Sequence, residues 1–100
     1  MAVETYEAII KIPIGKKPCT LTMERHGDGT FEGTFSVLGS TAPVQDGTID
    51  ADGNYTCKCT ITTILGTMES VAEGRVHDGL VEGVAKSRMG VMQMKSAELW

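Results

Sequence analysis

Three cysteines and two histidines are the side chains of this sequence with the clearest capacity for chemistry. Cys57 and Cys59 are two residues apart, so on a strand both thiols lie on one face. Cys19 falls on an inward position of its own strand, and three thiols in one interior would suit a soft metal if further ligands converged there. There is no Cys-x-x-Cys knuckle, and His26 and His77 fall at hairpin ends expected on opposite walls. The thiols therefore read as small buried apolar residues. Asp50-x-Asp52-Gly53-Asn54 has the oxygens of a calcium loop, but Tyr55 stands where such a loop needs glycine. Gly27-x-Gly29-x-x-x-Gly33 misses dinucleotide spacing and leads into a strand. No serine has a histidine and an acid in a recognisable motif, and no carboxylates form a catalytic pair. The expectation is a protein that is not an enzyme, with no cofactor and no metal.

Size and charge narrow the class. One hundred residues make one domain, spanning 1–100, and a chain this short buries roughly 60–65% of the surface it exposes unfolded. Nine basic against thirteen acidic residues leave a net charge of −4. That balance lacks the basic face nucleic-acid binding requires, and no aromatics interleave with basic residues to stack bases. No apolar run approaches the ~20 residues that span a bilayer, so no membrane partner is expected. The three cysteines do not form a disulfide framework, and Met1-Ala2-Val3-Glu4-Thr5 is not a secretory pattern. Both point to a cytoplasmic setting.

Alternation and turn residues organise the rest. Strand one is expected over Glu4 to Pro13, with Tyr6, Ala8, Ile10 and Ile12 inward, and a turn over Ile14 to Pro18. Strand two, Cys19 to His26, buries Cys19, Leu21 and Met23. Gly27-Asp28-Gly29 makes a tight hairpin, since glycine tolerates positive φ, and strand three, Thr30 to Val37, buries Phe31, Phe35 and Val37. Leu38 to Pro43 reads as the longest loop. Strand four, Val44 to Asp50, contains Asp46-Gly47 and is expected to bulge there. Strand five, Asn54 to Ile64, buries Tyr55, Cys57, Cys59 and Ile61. A Leu65-Gly66 turn leads to strand six, Thr67 to His77, with Met68, Ala72 and Val76 inward. Strand seven runs over Leu80 to Ser87, and strand eight over Val91 to Trp100 with Met92 and Met94 inward.

Asp28-Gly29-Thr30-Phe31-Glu32-Gly33 returns fifty positions later as Asp78-Gly79-Leu80-Val81-Glu82-Gly83. The chain thus reads as two four-stranded repeats, about 4–50 and 54–100. A four-stranded meander leaves two open edges and an apolar face it cannot bury alone. Two copies closed on each other remove both problems, so the expected fold is all-β, an eight-stranded antiparallel up-and-down barrel.

The turns Ile12-Pro13-Ile14-Gly15 and Thr63-Ile64-Leu65-Gly66, each followed by a strand, an Asp-Gly pair and x-x-Glu-Gly, resemble the small calycin-like, lipocalin-like β-barrel modules of bacteria. Those modules occur alone or appended to flavin oxidoreductases and amidohydrolases. The resemblance covers nearly the whole chain and rests on turn and packing motifs, so it implies the barrel and transfers no catalytic residues.

Two functions follow as expectations. The barrel end opposite the Asp-Gly turns carries Lys16, Lys17, Lys86, Arg88 and Leu38, with Leu65 and Met89. Lysines 16 and 17 are expected beside Lys86 and Arg88, because strands one and eight adjoin in a closed barrel. That rim would be the mouth of a pocket for a small hydrophobic anion, lined by Phe31, Phe35, Met92 and Met94. Small residues at Ser70, Ala72, Gly74, Gly83 and Ala85 fit either a side cavity or a tapered, filled core. The alternative is an accessory or oligomerisation module. Apolar residues on its outside, among them Ile9, Leu80, Val84 and Leu99, would dock to a partner enzyme or to another copy.

Overall fold

Inward and outward side chains alternate along almost every strand, and that period of two is what closes the sheet around one core. The computed structural model describes residues 3–64, 66–88 and 90–100; Leu65 and Met89, expected at the rim, lie outside the described residues. Eight strands follow in order: β1 Glu4–Ile12, β2 Gly15–Arg25, β3 Thr30–Val37, β4 Ser40–Ile49, β5 Asn54–Thr63, β6 Gly66–His77, β7 Leu80–Ser87 and β8 Gly90–Lys95. Each pairs antiparallel with the next, and β1 pairs with β8 through Ile9↔Lys95 and Ile10↔Met94. The result is the closed up-and-down barrel expected from the sequence.

Its core contains the expected inward set, completed by Ala42, Val44, Ile49 and Val81, which were not foreseen. Tyr6, Ala8, Ile10, Ile12, Cys19, Leu21, Met23, Phe31, Val37, Tyr55, Cys57, Cys59, Ile61, Met68, Val76, Met92 and Met94 are all buried, while Phe35 and Ala72 pack against them half-buried. The β4 bulge also lies where the sequence placed it. Asp46 has φ 52°, and the register with β5 shifts between Gln45 and Thr48.

Three boundaries differ from expectation by more than one residue. Strand β2 begins at Gly15 instead of Cys19, so Lys16 and Lys17 are strand residues paired with Lys11 and Ile10. The loop expected over Leu38 to Pro43 is only the turn Leu38-Gly39, because both residues take positive φ (53° and 76°) and reverse the chain in two positions. Strand β8 stops at Lys95. Ser96 is buried, donating its backbone N–H to the Val81 carbonyl at 2.8 Å and accepting the Val81 N–H on Oγ at 2.9 Å. A 3-10 turn over Ala97–Leu99 follows. Trp100 then donates its indole Nε1 to the carbonyls of Ile9 and Lys95, at 3.1 Å each.

Candidate functional site

The mouth is built from the β1–β2, β3–β4, β5–β6 and β7–β8 connections. Beneath it lies an apolar cavity whose walls include Ile12, Phe35, Val37, Leu38, Ile61, Met68, Met92 and Met94. The structure thus gathers four of the expected ligand residues, Phe35, Leu38, Met92 and Met94. The space they enclose is about 50 Å³. That is room for a few waters, against the roughly 300–1,000 Å³ of a small-molecule site.

The other expected site residues are dispersed. Phe31 is buried away from this cavity and meets the Tyr55 ring edge-on, with centroids 6.4 Å apart. Lys17 is half-buried on the Cys19 face of β2, while Lys16 points outward, its Nζ 4.2 Å above the Trp100 ring. Lys86 pairs with Val71 and Val91 on the outer wall, and Arg88 is exposed at the β7–β8 turn. Strands β8 and β1 stand between Lys86 and Lys16. The four cations are therefore spread along the rim and the wall, not side by side as their sequence positions suggested.

The thiols held inside are not activated. Burial pushes the Cys19 thiol up to about 12. Burial, then the neighbouring Cys59, pushes Cys57 up to about 11, and burial raises Cys59 too. Such thiols stay protonated and inert near neutrality. Among the described residues, no group of three or more His, Cys, Asp or Glu is placed to hold a metal ion. Asp50, the first residue of the calcium-loop echo, spends its carboxylate on its own turn. It accepts the backbone N–H groups of Asp52 and Asn54 at 2.9 Å and the Asn54 amide at 3.1 Å, which lowers its pKa. His77 lies 3.3 Å from the Glu82 carboxylate, and His26 3.8 Å from Glu32.

The larger concavity is on the outside. At Gly74↔Gly83 the β6–β7 pair has no side chains on its inner face. The wall moves in until a Cβ on either glycine would stand 2.8 or 2.5 Å from the Tyr55 oxygen. Tyr55 itself donates to the Glu82 carbonyl at 3.3 Å. Above this waist runs an open groove of about 850 Å³, crossed by Thr48, Thr56, Glu73, Val84 and Gln93, with Arg75, Glu82 and Lys95 along one side. On its other side Val71 and Val91 are 53% and 65% exposed. The expected docking residues Ile9, Leu80, Val84 and Leu99 are half-buried by comparison.

Of those expected docking residues Val84 does lie in this groove, whereas Val71 and Val91 beside it were not foreseen, although their signal was present. Val71 and Val91 are apolar residues in the outward phase, one position out of step with Ala72 and Met92. No known protein family, curated protein or solved structure matches this chain.

Proposed function

We propose that this protein is a non-catalytic accessory module that works through the outer wall of its barrel, docking to a partner enzyme or to its own copy. One contrast carries the reading: the apolar cavity beneath the mouth encloses about 50 Å³, whereas the outer wall over β4–β8 offers a groove of about 850 Å³ flanked by exposed valines. The calycin-like assignment belongs to the same reading, since such modules occur appended to flavin oxidoreductases and amidohydrolases. So does the duplicated architecture, halves about 4–50 and 54–100, which rests on the Asp-Gly-x-x-Glu-Gly echo at β3 and β7. Three free, buried thiols fit a reducing, cytoplasmic compartment.

A second reading keeps the mouth as a site for a small hydrophobic anion. Phe35, Leu38, Met92 and Met94 do meet around an apolar cavity, and Lys17 stands at its end of the barrel. Binding there needs the core to open.

Melting curves separate the two. Fatty acids, flavins and aromatic acids at saturating concentration leave Tm unchanged if the outer wall is the working surface. A ligand-dependent rise in Tm that disappears in Lys17→Ala returns function to the mouth, since a ligand bound only by the folded state stabilises it in proportion to occupancy.

A further inference from the structure

The outer wall of β5–β8 carries a charge pattern that is complementary to itself. Across the strands, Lys58 pairs with Val71, Val71 with Lys86, and Lys86 with Val91. Along β6, Val71 lies between Glu69 and Glu73, all three in the outward phase. Val71 is thus the centre of a cross, with ammonium groups on the arm across the strands and carboxylates on the arm along them. Neighbouring strands are about 5 Å apart and alternate residues on one strand about 7 Å, so the arms are of similar length. Among the described residues, Glu69, Glu73 and Lys86 have no charged partner within ion-pair distance, and Lys58 reaches only the exposed Asp46, at 3.8 Å.

Shape and charge call for the same orientation. A twisted barrel wall is a saddle, convex around the barrel and concave along it, and the groove over Gly74 and Gly83 deepens the concave direction. Two saddles mate when one is turned by a quarter turn, which is the orthogonal class of sheet packing. The same quarter turn about Val71 exchanges the arms of the cross. We infer that this face is a two-fold interface between two copies of the chain. Lys86 of each meets Glu73 of the other, Lys58 meets Glu69, and Val71 and Val84 pack on their counterparts near the axis. The arrangement is isologous, as a closed dimer requires.

A second copy is favoured over another partner because the four charges of the cross cancel on a chain of net charge −4. Two copies of the acidic molecule therefore meet at this cross without like-charge repulsion between its four charges. The inference rests on the proposed function and names the occupant of its docking wall.

Sedimentation velocity on the intact chain tests it. Wild type should dimerise reversibly in the micromolar range, more weakly at high salt, because exposed ion pairs are screened. Two charge-swapped chains should each be monomeric, with dissociation constants raised at least about tenfold. One carries Lys58→Glu and Lys86→Glu, the other Glu69→Lys and Glu73→Lys. Mixed in equal amounts they should form a heterodimer at least as tight as the wild-type dimer. All four substitutions lie on exposed outward positions, and circular dichroism checks that each variant is folded. The inference is overturned if wild type stays monomeric to about 1 mM, a concentration at which even weak protein contacts register. It is also overturned if both swapped chains dimerise as wild type does, or if their mixture stays monomeric. A monomeric wild type whose Tm ignores small anions removes the self-docking inference while leaving the docking module intact. A Tm that rises with such a ligand removes the docking module itself.

Discussion

Gly74 and Gly83 face each other across β6 and β7, and the place their side chains would take is filled by the Tyr55 phenol together with the backbone carbonyls of Glu82 and Glu73. A Cβ on Gly83 would lie 2.5 Å from the Tyr55 oxygen, so Gly83→Ala forces either the ring or the wall to move. Overpacking of this kind costs about 1–3 kcal/mol. Removing the oxygen clears the nearest contact but leaves the Glu73 carbonyl oxygen 2.8 Å from the new Cβ, so the cost of Gly83→Ala should fall in part, without vanishing, in a Tyr55→Phe background. A double-mutant cycle by urea unfolding reads the coupling directly. Full additivity would mean that the glycine pair does not hold the waist through Tyr55.

The end of β8 depends on one hydroxyl. Ser96 Oγ accepts the Val81 N–H at 2.9 Å, and Val81 is fully buried. Ser96→Ala leaves that amide without its partner in the interior, a loss of about 1–3 kcal/mol. Hydrogen exchange adds a local measure. The Val81 amide should exchange markedly faster in the variant, even relative to its lowered global stability, while amides of β5 follow the global change alone.

Much of this barrel could be read from its residues, and the failures share a cause. Tyr6, Ala8, Ile10 and Ile12 alternate cleanly, and the Asp-Gly pairs mark three of the hairpins, so strand number and facing were legible. Lys16-Lys17-Pro18 and Ser40-Thr41-Ala42-Pro43 read as loops because proline lacks the ladder donor. Pro18 precedes the first β2–β3 pair, Cys19↔Val37, and Pro43 precedes the first β4–β5 pair, Val44↔Cys59. Each proline therefore stands where one flanking ladder has not begun. Ser96 shows the opposite error: Ala97 and Leu99 carry the alternation onward, but the chain leaves the ladder after Ser96 for a 3-10 turn in which the Leu99 N–H donates to the Ser96 carbonyl at 2.9 Å. The candidate site was less legible still. Small residues at Gly74 and Gly83 predict a hollow or a pinched wall equally well, and the choice is made by Tyr55 from another strand.

The thiols set a pH limit on stability. Cys19 and Cys57 have folded pKa values raised from an ordinary 9.0 to about 12 and about 11. Between those limits the unfolded chain has released protons that the folded chain still holds. Stability is therefore at its full value below about pH 9 and falls as pH rises toward 11–12. Urea midpoints should decline across that window, and less steeply in a Cys19→Ala, Cys57→Ala chain. At pH 8 a thiol reagent should label none of the three cysteines in the native protein and all of them in denaturant. Labelling of native Cys57 at the denatured rate would show that the interior is open.

Strand β1 meets β8 through only two residue pairs, which makes that seam the shortest ladder in the barrel. Trp100 lies across it. Its indole N–H is shared between the Ile9 and Lys95 carbonyls, and the ammonium groups of Lys16 and Lys95 sit 4.2 and 5.3 Å from its ring centroid. An indole hydrogen bond and exposed cation–π contacts are each worth about 0.5–1.5 kcal/mol. Trp100→Leu retains apolar bulk and loses both, so it should destabilise the barrel by about 1–2 kcal/mol. Trp100→Phe keeps the ring face for the two lysines and should recover part of that loss. Urea unfolding followed by far-ultraviolet circular dichroism measures both without relying on tryptophan emission. If the two variants are as stable as wild type, the seam is held by Ile9, Ile10 and Met94 alone. If Trp100→Phe is no better than Trp100→Leu, the indole N–H is the whole of the contribution.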